Sequence, residues 1–309
     1  MFIFNLGFLR FFGFFGLKLK KSLFPKMASP LYPILSLRFP HERDKNIRFQ
    51  EEGHRYTILT DPNSTYTSVT TWNHSHFGHF DADEIIRKMM SSKSWKEGHH
   101  YWGLTGEEIK DIWNNNRDNA AGAGTQLHHE IECFMNSNLL LFRYTHLELF
   151  QFYNMYIQYD KSEKLQQKEW LQFIHFVEQT PTLKPYRTEW MIYHEELKLS
   201  GSIDMVYENL DGSLSIYDWK RSKEISYESA FNKRALTPAI QHLDDCNFSH
   251  YALQLNTYKA ILEQKYDKVV KELFLVKLHP EAEDYEVIEV PILTNEIAAL
   301  FRHRLSLLV

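Results

Sequence analysis

Cysteine is nearly absent from this sequence. The 309 residues include only Cys133 and Cys246, which is too few for a disulfide framework or a four-cysteine zinc site. An iron–sulfur cluster held by four cysteines is excluded on the same count. The scarcity indicates a reducing intracellular compartment, without distinguishing cytoplasm, nucleus and mitochondrion.

An excess of one charge is also lacking. The chain has 35 Lys plus Arg against 40 Asp plus Glu, a net charge of −5. The overall charge therefore does not indicate a nucleic-acid-binding protein, and any basic surface must be local. The phosphate-binding motif GxxxxGK[ST] is absent as well, so the sequence predicts no ATP-binding helicase part.

The first 41 residues differ in composition from the rest. Residues 1–17 are almost wholly apolar and contain seven phenylalanines, four lysines follow up to Lys26, and no acidic residue precedes Glu42. The charge order is the reverse of a secretory signal, and the apolar run is too short and too interrupted for a typical spanning helix. Two interpretations remain: a targeting or anchoring segment, or a true start at Met27 with the preceding residues untranslated or dispensable.

The rest of the chain, residues 42–309, predicts one mixed α/β body. Near its start, the runs RFQEEGHRYTIL and STYTSVTTW predict a strand pair joined at the turn-forming DPNS. Helices are predicted next. One opens at the capping residue Asp81, another at Thr105 with Glu108 three residues later, and a third covers 144–178.

The second half of the chain changes to a strand pattern. Three strands are predicted from RTEWMIYHEE, SGSIDMVYEN and SLSIYDWK, followed by a helix over about 246–265. The segments ELFLVKLH and YEVIEVPI predict two more strands, and a C-terminal helix is predicted over about 295–307.

Two aspartates meet across the hairpin between the second and third of these strands. The dipeptide Asp-Gly at 211–212 is a strong hairpin signal. A three-residue loop places Asp204 opposite Asp218, whereas a two-residue loop places it opposite Trp219. In either register the carboxylates are neighbours, and like charges so placed are destabilising. The pair therefore predicts a site for a hard divalent cation such as Mg²⁺ or Mn²⁺.

A lysine follows the second aspartate at the spacing of one strand repeat. Lys220 lies two residues after Asp218, on the same face of the strand and ~6.6 Å along it. Its ammonium group could orient an attacking water or stabilise charge on a phosphate. The same acid-x-Lys pattern occurs at Glu108, Glu196 and Glu263. The triplet alone is therefore weak evidence, and the hairpin partner Asp204 gives it weight.

Two helices add polar side chains. In NAAGAGTQLHHEIECFMN, His128 and Glu132 lie one turn apart on one face, where the imidazole can bind a metal and the carboxylate can assist. The alternative is a partly buried histidine beside an acid. In YALQLNTYKAIL, Gln254 and Tyr258 project together from one helix face. Taken singly, all four are ordinary residues of amphipathic helices.

Taken together, these pieces resemble a known family. In chain order the sequence reads GTQLH, then GSID, then YDWK, then QLNTY. This combination resembles the PD-(D/E)xK nuclease superfamily, specifically the RecB-like branch related to mitochondrial genome maintenance exonucleases. The resemblance covers about residues 118–280 and, more loosely, TYTSVTTW. It implies a restriction-endonuclease-like α/β/α core with a mixed central sheet and added N-terminal helices, in a nuclease domain over 42–309 with its core at about 118–290.

The resemblance also implies roles for individual residues. Lys220, with Asp218 and Asp204, would be catalytic and would position the nucleophile. The metal ligands would be His128, Asp204, Asp218 and the carbonyl of Trp219. Supporting or nucleic-acid-contacting residues would be Glu132, Glu189, Gln254, Tyr258 and Arg221.

By the same resemblance the protein is expected to be a Mg²⁺- or Mn²⁺-dependent DNA phosphodiester hydrolase. It would act as an exonuclease or process flaps or single strands in replication, repair or recombination. The implied substrate is single-stranded DNA or DNA with a free end, without ATP or an iron–sulfur cluster, and replication or recombination proteins are the implied partners. Two alternatives are a non-catalytic DNA-binding scaffold that kept the nuclease fold and an RNA-directed nuclease.

Three further groups of residues have competing interpretations. The basic residues Lys220, Arg221, Lys223, Lys233 and Arg234 could hold phosphates or form a solvated loop. The histidines His74, His76 and His79 could be read as a zinc site, but their spacing fits no common finger and solvated loop histidines are the favoured interpretation. Aromatic residues from Phe142 to Phe176, including Tyr153, Tyr156 and Trp170, could stack on bases but are favoured as core.

Overall fold

The computed structural model describes residues 34–137, 145–156, 167–229 and 232–308. Residues 1–33 lie outside these ranges. The structure therefore does not test whether this segment has a targeting role or whether the protein starts at Met27. The prediction of one helix over 144–178 is wrong, because Gln167 has an extended backbone and a separate helix begins at Lys168. Residues 157–166 and the side chains of Phe142 and Tyr156 lie outside the description.

The described residues form eight α-helices and eight strands, together with short 3₁₀ turns at Glu42–Asn46 and Pro238–Ile240. In chain order they are α1 (Ile34–Arg38), β1 (Ile47–Gln50), β2 (Arg55–Ile58), β3 (Thr67–Ser68), α2 (Val69–His74), α3 (Ala82–Met90), α4 (Gly106–Met135), α5 (His146–Tyr156), α6 (Lys168–Gln179), β4 (Lys184–His194), β5 (Leu199–Glu208), β6 (Leu214–Lys220), α7 (Asn247–Lys265), β7 (Val270–Lys277), β8 (Glu286–Glu289) and α8 (Thr294–Leu308). The strands and helices predicted for the second half of the chain are confirmed, with small shifts at their ends.

The strand pair predicted near the start of the body is wrong in its pairing. β1 pairs with β2 inside RFQEEGHRYTIL, and the turn is formed by residues 51–54 rather than by DPNS. Gly53 and His54 both have positive φ in this turn (77° and 47°), the backbone conformation that tight hairpins require. The run STYTSVTTW contributes only the two residues of β3, because Ser68 caps α2 by accepting a hydrogen bond from the backbone N–H of Thr71 at 3.0 Å.

The central sheet has a gap beside β5. β4, β5, β6, β7 and β8 neighbour one another in that order, with β6 and β7 parallel and the other pairs antiparallel. β3 adds a short parallel pairing at Leu199 and Ser200. β4 pairs along the whole of one edge of β5. The other edge of β5 pairs with β3 at one end and with β6 at the opposite end. Residues 201–204 therefore have no strand neighbour there among the described strands.

Helices cover both faces of this sheet. Adjacent residues of one strand belong to different hydrophobic clusters, as Ile216 and Tyr217 do, because successive side chains of a strand point to opposite faces. One face packs against α2, α7 and α8, and the other against α4, α5 and α6. The expected α/β/α core with a mixed sheet is therefore confirmed. Tyr153 and Trp170 are buried in the second cluster, as the core interpretation of these aromatics predicts.

The helix α4 is 30 residues long and only its ends are anchored by buried residues. A capping box starts it, in which the Thr105 side chain accepts from the Glu108 backbone and Glu108 accepts from the Thr105 N–H. Ile109 is buried near this start, and the next buried residue is Leu127. The helix therefore joins a polar, solvent-exposed half to a half that packs on the sheet. No helix within the described ranges has the length and apolar character needed to cross a bilayer.

We expect the Thr105→Ala substitution to fray the first turn of α4, because it removes the capping acceptor and typically costs ~1 kcal/mol. Hydrogen exchange of the backbone amides at 106–109 should become several-fold faster. Thr125→Ala, on the exposed middle of the same helix, is the matched control and should leave those amides unchanged. Equal exchange in both variants would contradict the role of the cap.

Candidate functional site

The gap beside β5 brings two aspartates together. The hairpin has a three-residue loop, since the backbone N–H of Asn209 donates to the Ser213 carbonyl at 2.8 Å. The pairing of β5 with β6 ends at Met205 with Tyr217, and the next opposed pair in this register is Asp204 with Asp218. Of the two registers left open by the sequence, the first is therefore the one observed.

The side chain of Asp204 replaces a missing strand contact. Beyond Met205 the strands separate, and the backbone N–H of Trp219 donates to Asp204 Oδ2 at 3.0 Å. This hydrogen bond satisfies a donor that a continued ladder would otherwise have used. It also fixes one carboxylate oxygen of Asp204 beside the backbone of β6.

A third acid enters from the other neighbour of β5. Glu189 lies between the pairs Thr188–Met205 and Trp190–Ile203, so it faces Asp204 across the strands. Its φ is 43°, a left-handed conformation that costs a residue with a side chain and is typically retained at functional sites. Ser202 donates its hydroxyl to Glu189 Oε2 at 3.0 Å.

His128 approaches these acids from α4. Its Nε2 donates to the carbonyl of Trp219 at 2.9 Å, because a carbonyl can only accept. The other ring nitrogen, Nδ1, lies 3.5 Å from Asp204 Oδ2 and 3.9 Å from Glu189 Oε1. Ligand atoms of His128, Glu189 and Asp204 all lie within 4.8 Å of one another.

Asp218 and Lys220 form the floor of the site. Asp218 is buried, and Lys220 Nζ lies 2.6 Å from its Oδ2. The ammonium donates a charge-assisted hydrogen bond to this carboxylate. The ammonium also lies 4.5 Å from the ring centroid of Tyr251 on α7, so it sits between a carboxylate and an aromatic face.

The protonation of these groups is set by burial and by their mutual charges. Burial, followed by the charge of Asp204, raises the pKa of both Asp218 and Glu189. Burial lowers the pKa of Lys220, but the carboxylates of Asp218 and Asp204 outweigh it and the net pKa is raised. The site is thus a concentration of negative charge with a single buried ammonium among these groups.

These residues fit a hard divalent cation. Carboxylate oxygens, a backbone carbonyl and one imidazole are the ligands that Mg²⁺ and Mn²⁺ accept. Nδ1 of His128 faces the carboxylates of Asp204 and Glu189, and Asp218 lies opposite Asp204. A cation between them would relieve the like-charge repulsion and satisfy these atoms.

The glutamine–tyrosine pair supports the site from α7. Gln254 Nε2 donates to the Tyr258 hydroxyl at 3.3 Å. Tyr258 is buried against β5, where a Cβ at Gly201 would lie 2.8 Å from Tyr258 Cε1. The glycine of GSID therefore makes room for this tyrosine.

Two of the sequence-predicted residues have other contacts. Glu132 Oε2 lies 3.9 Å from Nδ1 of His129, and burial raises the pKa of Glu132. Its charge also helps to raise the pKa of Glu189. Arg221 is paired with Glu169 on α6, with Nε 2.7 Å from Oε1. The arginine is therefore already neutralised by this acid.

The basic segment after β6 is not a simple phosphate-binding cluster. Lys223 lies 2.5 Å from Glu281, and Arg234 lies 3.7 Å from Asp244. Acidic partners thus offset much of its positive charge. The exposed loop interpretation accounts for Lys223 and Arg234 better than a preformed phosphate site.

The three histidines considered for zinc do not converge. His76 is buried and its Nδ1 lies 2.9 Å from the Thr237 hydroxyl, whereas His74 packs edge-on against His250. Within the described residues, the one cluster suited to a metal is that of His128, Glu189 and Asp204. The zinc interpretation is therefore not supported.

Two residues beside the site were not singled out from the sequence. Tyr251 lies three residues before Gln254 and seven before Tyr258, so helical spacing places all three on one face. Tyr56 on β2 is buried, and its pKa is raised to about 12 by burial and then by the charges of Glu189 and Asp204. Helical periodicity could have found Tyr251, but only the fold brings Tyr56 near the acids.

Comparison with known proteins identifies the family. A family model of the PD-(D/E)XK nuclease superfamily matches residues 113–308, more than half of the chain. The protein therefore belongs to the PD-(D/E)XK nuclease superfamily, whose members are nucleic-acid phosphodiester hydrolases that typically use divalent metal ions.

Two other comparisons add little. No curated protein sequence matches the chain significantly. The crystal structure of a candidate exonuclease from Eubacterium rectale overlaps 78% of this chain and 77% of its own, with 11% identity and a TM-score of 0.30. Membership in the family rests on the sequence match over residues 113–308.

We expect Glu189→Gln to stabilise the metal-free protein at alkaline pH. Raised carboxyl pKa values mean that the folded state holds protons more tightly than the unfolded state, so stability falls as pH rises above the ordinary value of about 4. Melting temperatures in EDTA between about pH 5 and about pH 9 should fall less steeply for the variant than for wild type. Parallel curves would contradict the repulsion described here.

We expect Tyr251→Leu to lower nuclease kcat by ~5-fold or more, because the ammonium of Lys220 loses the aromatic face worth ~1 kcal/mol or more at a desolvated site. Tyr251→Phe retains the ring and should stay within ~2-fold of wild type. KM should change little in either variant. Equal loss in both would indicate that the hydroxyl, rather than the ring, is what matters.

Proposed function

We propose that this protein is a divalent-metal-dependent DNA nuclease that acts as an exonuclease or on single-strand or flap structures in replication, repair or recombination. The observation that carries the proposal is the grouping of Asp204, Asp218 and Lys220 in the gap between two strands. Carboxylates opposed in a sheet repel each other, and a divalent cation between them would offset this repulsion. The nuclease domain is assigned to 42–309, with its core at about 118–290.

Each residue has a defined part in the proposed reaction. His128, Asp204 and Asp218, with the carbonyl of Trp219, would hold Mg²⁺ or Mn²⁺, and Glu189 lies close enough to join them. A bound divalent ion would lower the pKa of water and offset charge on the scissile phosphate. The orientation of the attacking water would be the task of the protein's own side chains.

Lys220 is the group placed to act on the nucleophile. Its ammonium is held by Asp218 and Tyr251, so it can orient an attacking water without leaving its position. Tyr258 is buried against β5, and Gln254 donates a hydrogen bond to its hydroxyl. By the family resemblance this pair would support the site, and Gln254 would be the member that contacts the nucleic acid. The preference for single strands and free ends follows from the RecB-like resemblance.

The proposal is tested by digestion of end-labelled DNA with Mg²⁺, with Mn²⁺ and with EDTA. Wild type should shorten the DNA only with metal, whereas Lys220→Ala and Asp218→Asn should lose ~10³-fold or more in rate. Lys259→Ala is the matched control, since its side chain is 16% exposed, against 17% for Lys220, and it should retain wild-type activity.

Each contrary result has a specific meaning. Activity retained in Lys220→Ala would overturn the mechanism. Binding of DNA without cleavage under every metal would favour the scaffold alternative. Faster cleavage of a matched RNA oligonucleotide would identify RNA as the substrate.

A further inference from the structure

An aromatic surface lies at the outer end of α4, away from the proposed catalytic site. Its rings form a continuous series of neighbours with centroids 4.9 to 6.2 Å apart. We call this set the aromatic platform, and its members are Phe80, Trp95, His99, Tyr101, Trp102 and Trp113. All of these residues except Trp113 lie before residues 113–308, the part of the chain that the family model matches.

The platform is ordered but open to solvent. Trp113 Nε1 donates to the Tyr101 hydroxyl at 3.0 Å, which fixes the two rings against each other. Phe80 and Trp102 are nevertheless 63% and 47% exposed. Large apolar rings held in place and left exposed indicate a binding surface rather than a core.

Positive charge at the platform is confined to one loop. The loop over residues 91–105, which carries four of the six rings, has two lysines and one acid, whereas the segments 80–90 and 106–113 on either side are acidic. Lys93 and Lys96 are exposed, and neither has a carboxylate partner among the described residues. Aromatic rings beside unpaired lysines suit a polymer of bases and phosphates.

The platform is joined to the catalytic site by the exposed half of α4. Trp113 and His128 are fifteen residues apart on this helix, which is ~22 Å along its axis. No residue of the intervening stretch 110–126 is buried. A strand leaving the site could therefore follow the helix to the platform without displacing packed side chains.

We propose that the aromatic platform binds single-stranded nucleic acid by stacking of its bases, beyond the strand bound at the catalytic site. Paired bases in a duplex do not offer their faces, so the surface selects single strands. This inference rests on the proposed nuclease function and adds a second contact for the same substrate.

The test is the affinity of the full chain for a fluorescein-labelled single strand of about 20 nucleotides, measured by anisotropy in EDTA. Trp102→Ala should weaken binding ~5- to 100-fold, the range for loss of one stacked base, and Trp102→Phe should stay within ~3-fold. Leu210→Ala, which removes another exposed apolar side chain (94% exposed) from a distant hairpin loop, should leave the affinity unchanged.

An abasic oligonucleotide separates stacking from other effects. Wild type should bind the abasic oligonucleotide more weakly than the normal strand. Trp102→Ala should bind the two oligonucleotides with equal affinity. A blunt duplex should bind wild type and Trp102→Ala equally. Additive losses, or an unchanged affinity of Trp102→Ala for the normal strand, would overturn the proposal. If Trp102→Ala lost self-association but kept its affinity for the single strand, the proposal would also be overturned, because the platform would then be a contact between two copies of the chain.

A small substrate distinguishes this inference from the proposed function. Metal-dependent hydrolysis of bis-p-nitrophenyl phosphate needs the catalytic site but has no bases to stack. Trp102→Ala should retain this hydrolysis and Lys220→Ala should lose it. Wild type that hydrolyses neither this substrate nor DNA would overturn the proposed function. The binding measurements in EDTA would still show whether the platform binds single strands.

Discussion

Repulsion between carboxylates in the gap beside β5 is the constraint on which the rest of the site depends. Asp204 and Asp218 are opposed across separating strands, and Glu189 faces them from β4. Burial raises the pKa of Glu189 and of Asp218, so their negative charges are costly in this position. The hydrophobic clusters on both faces of the sheet hold the strands in place despite this repulsion. The arrangement becomes favourable only when positive charge enters the gap.

Positive charge reaches the gap in two forms. Lys220 supplies a fixed ammonium, held by Asp218 and the ring of Tyr251, and the remaining ligand atoms suit a divalent ion. His128 connects the two halves of the structure, because it is anchored on α4 while its ring bonds to the backbone of β6. A movement of α4 would therefore change the geometry of the acids directly. This coupling is also how nucleic acid bound along the exposed half of α4 would reach the site.

The family match and the geometry support each other without overlapping fully. The match begins at residue 113, so the hairpin of β1 and β2, the helix α3 and most of the aromatic platform belong to the N-terminal part of the chain outside it. Tyr56 nevertheless lies beside the acids. The N-terminal part thus lies beside the proposed catalytic site and also carries an exposed aromatic surface. Substrate preference within the superfamily can be set by such added parts while the central chemistry stays the same.

The sequence by itself determined the strands of the second half, the proximity of Asp204 and Asp218 across a hairpin and the pairing of Gln254 with Tyr258, because these depend on local periodicity and one turn signal. Which of two hairpin registers opposes the aspartates was decided only by the three-residue loop of the structure. The sequence also did not determine the pairing of β1 with β2 or the short β3, since short β-branched runs do not specify their partners. The neutralisation of Arg221 by Glu169 and the proximity of His128 to Glu189 also required the fold. These contacts join residues far apart in the chain, and only the packing of α4 and α6 on the sheet brings them within reach.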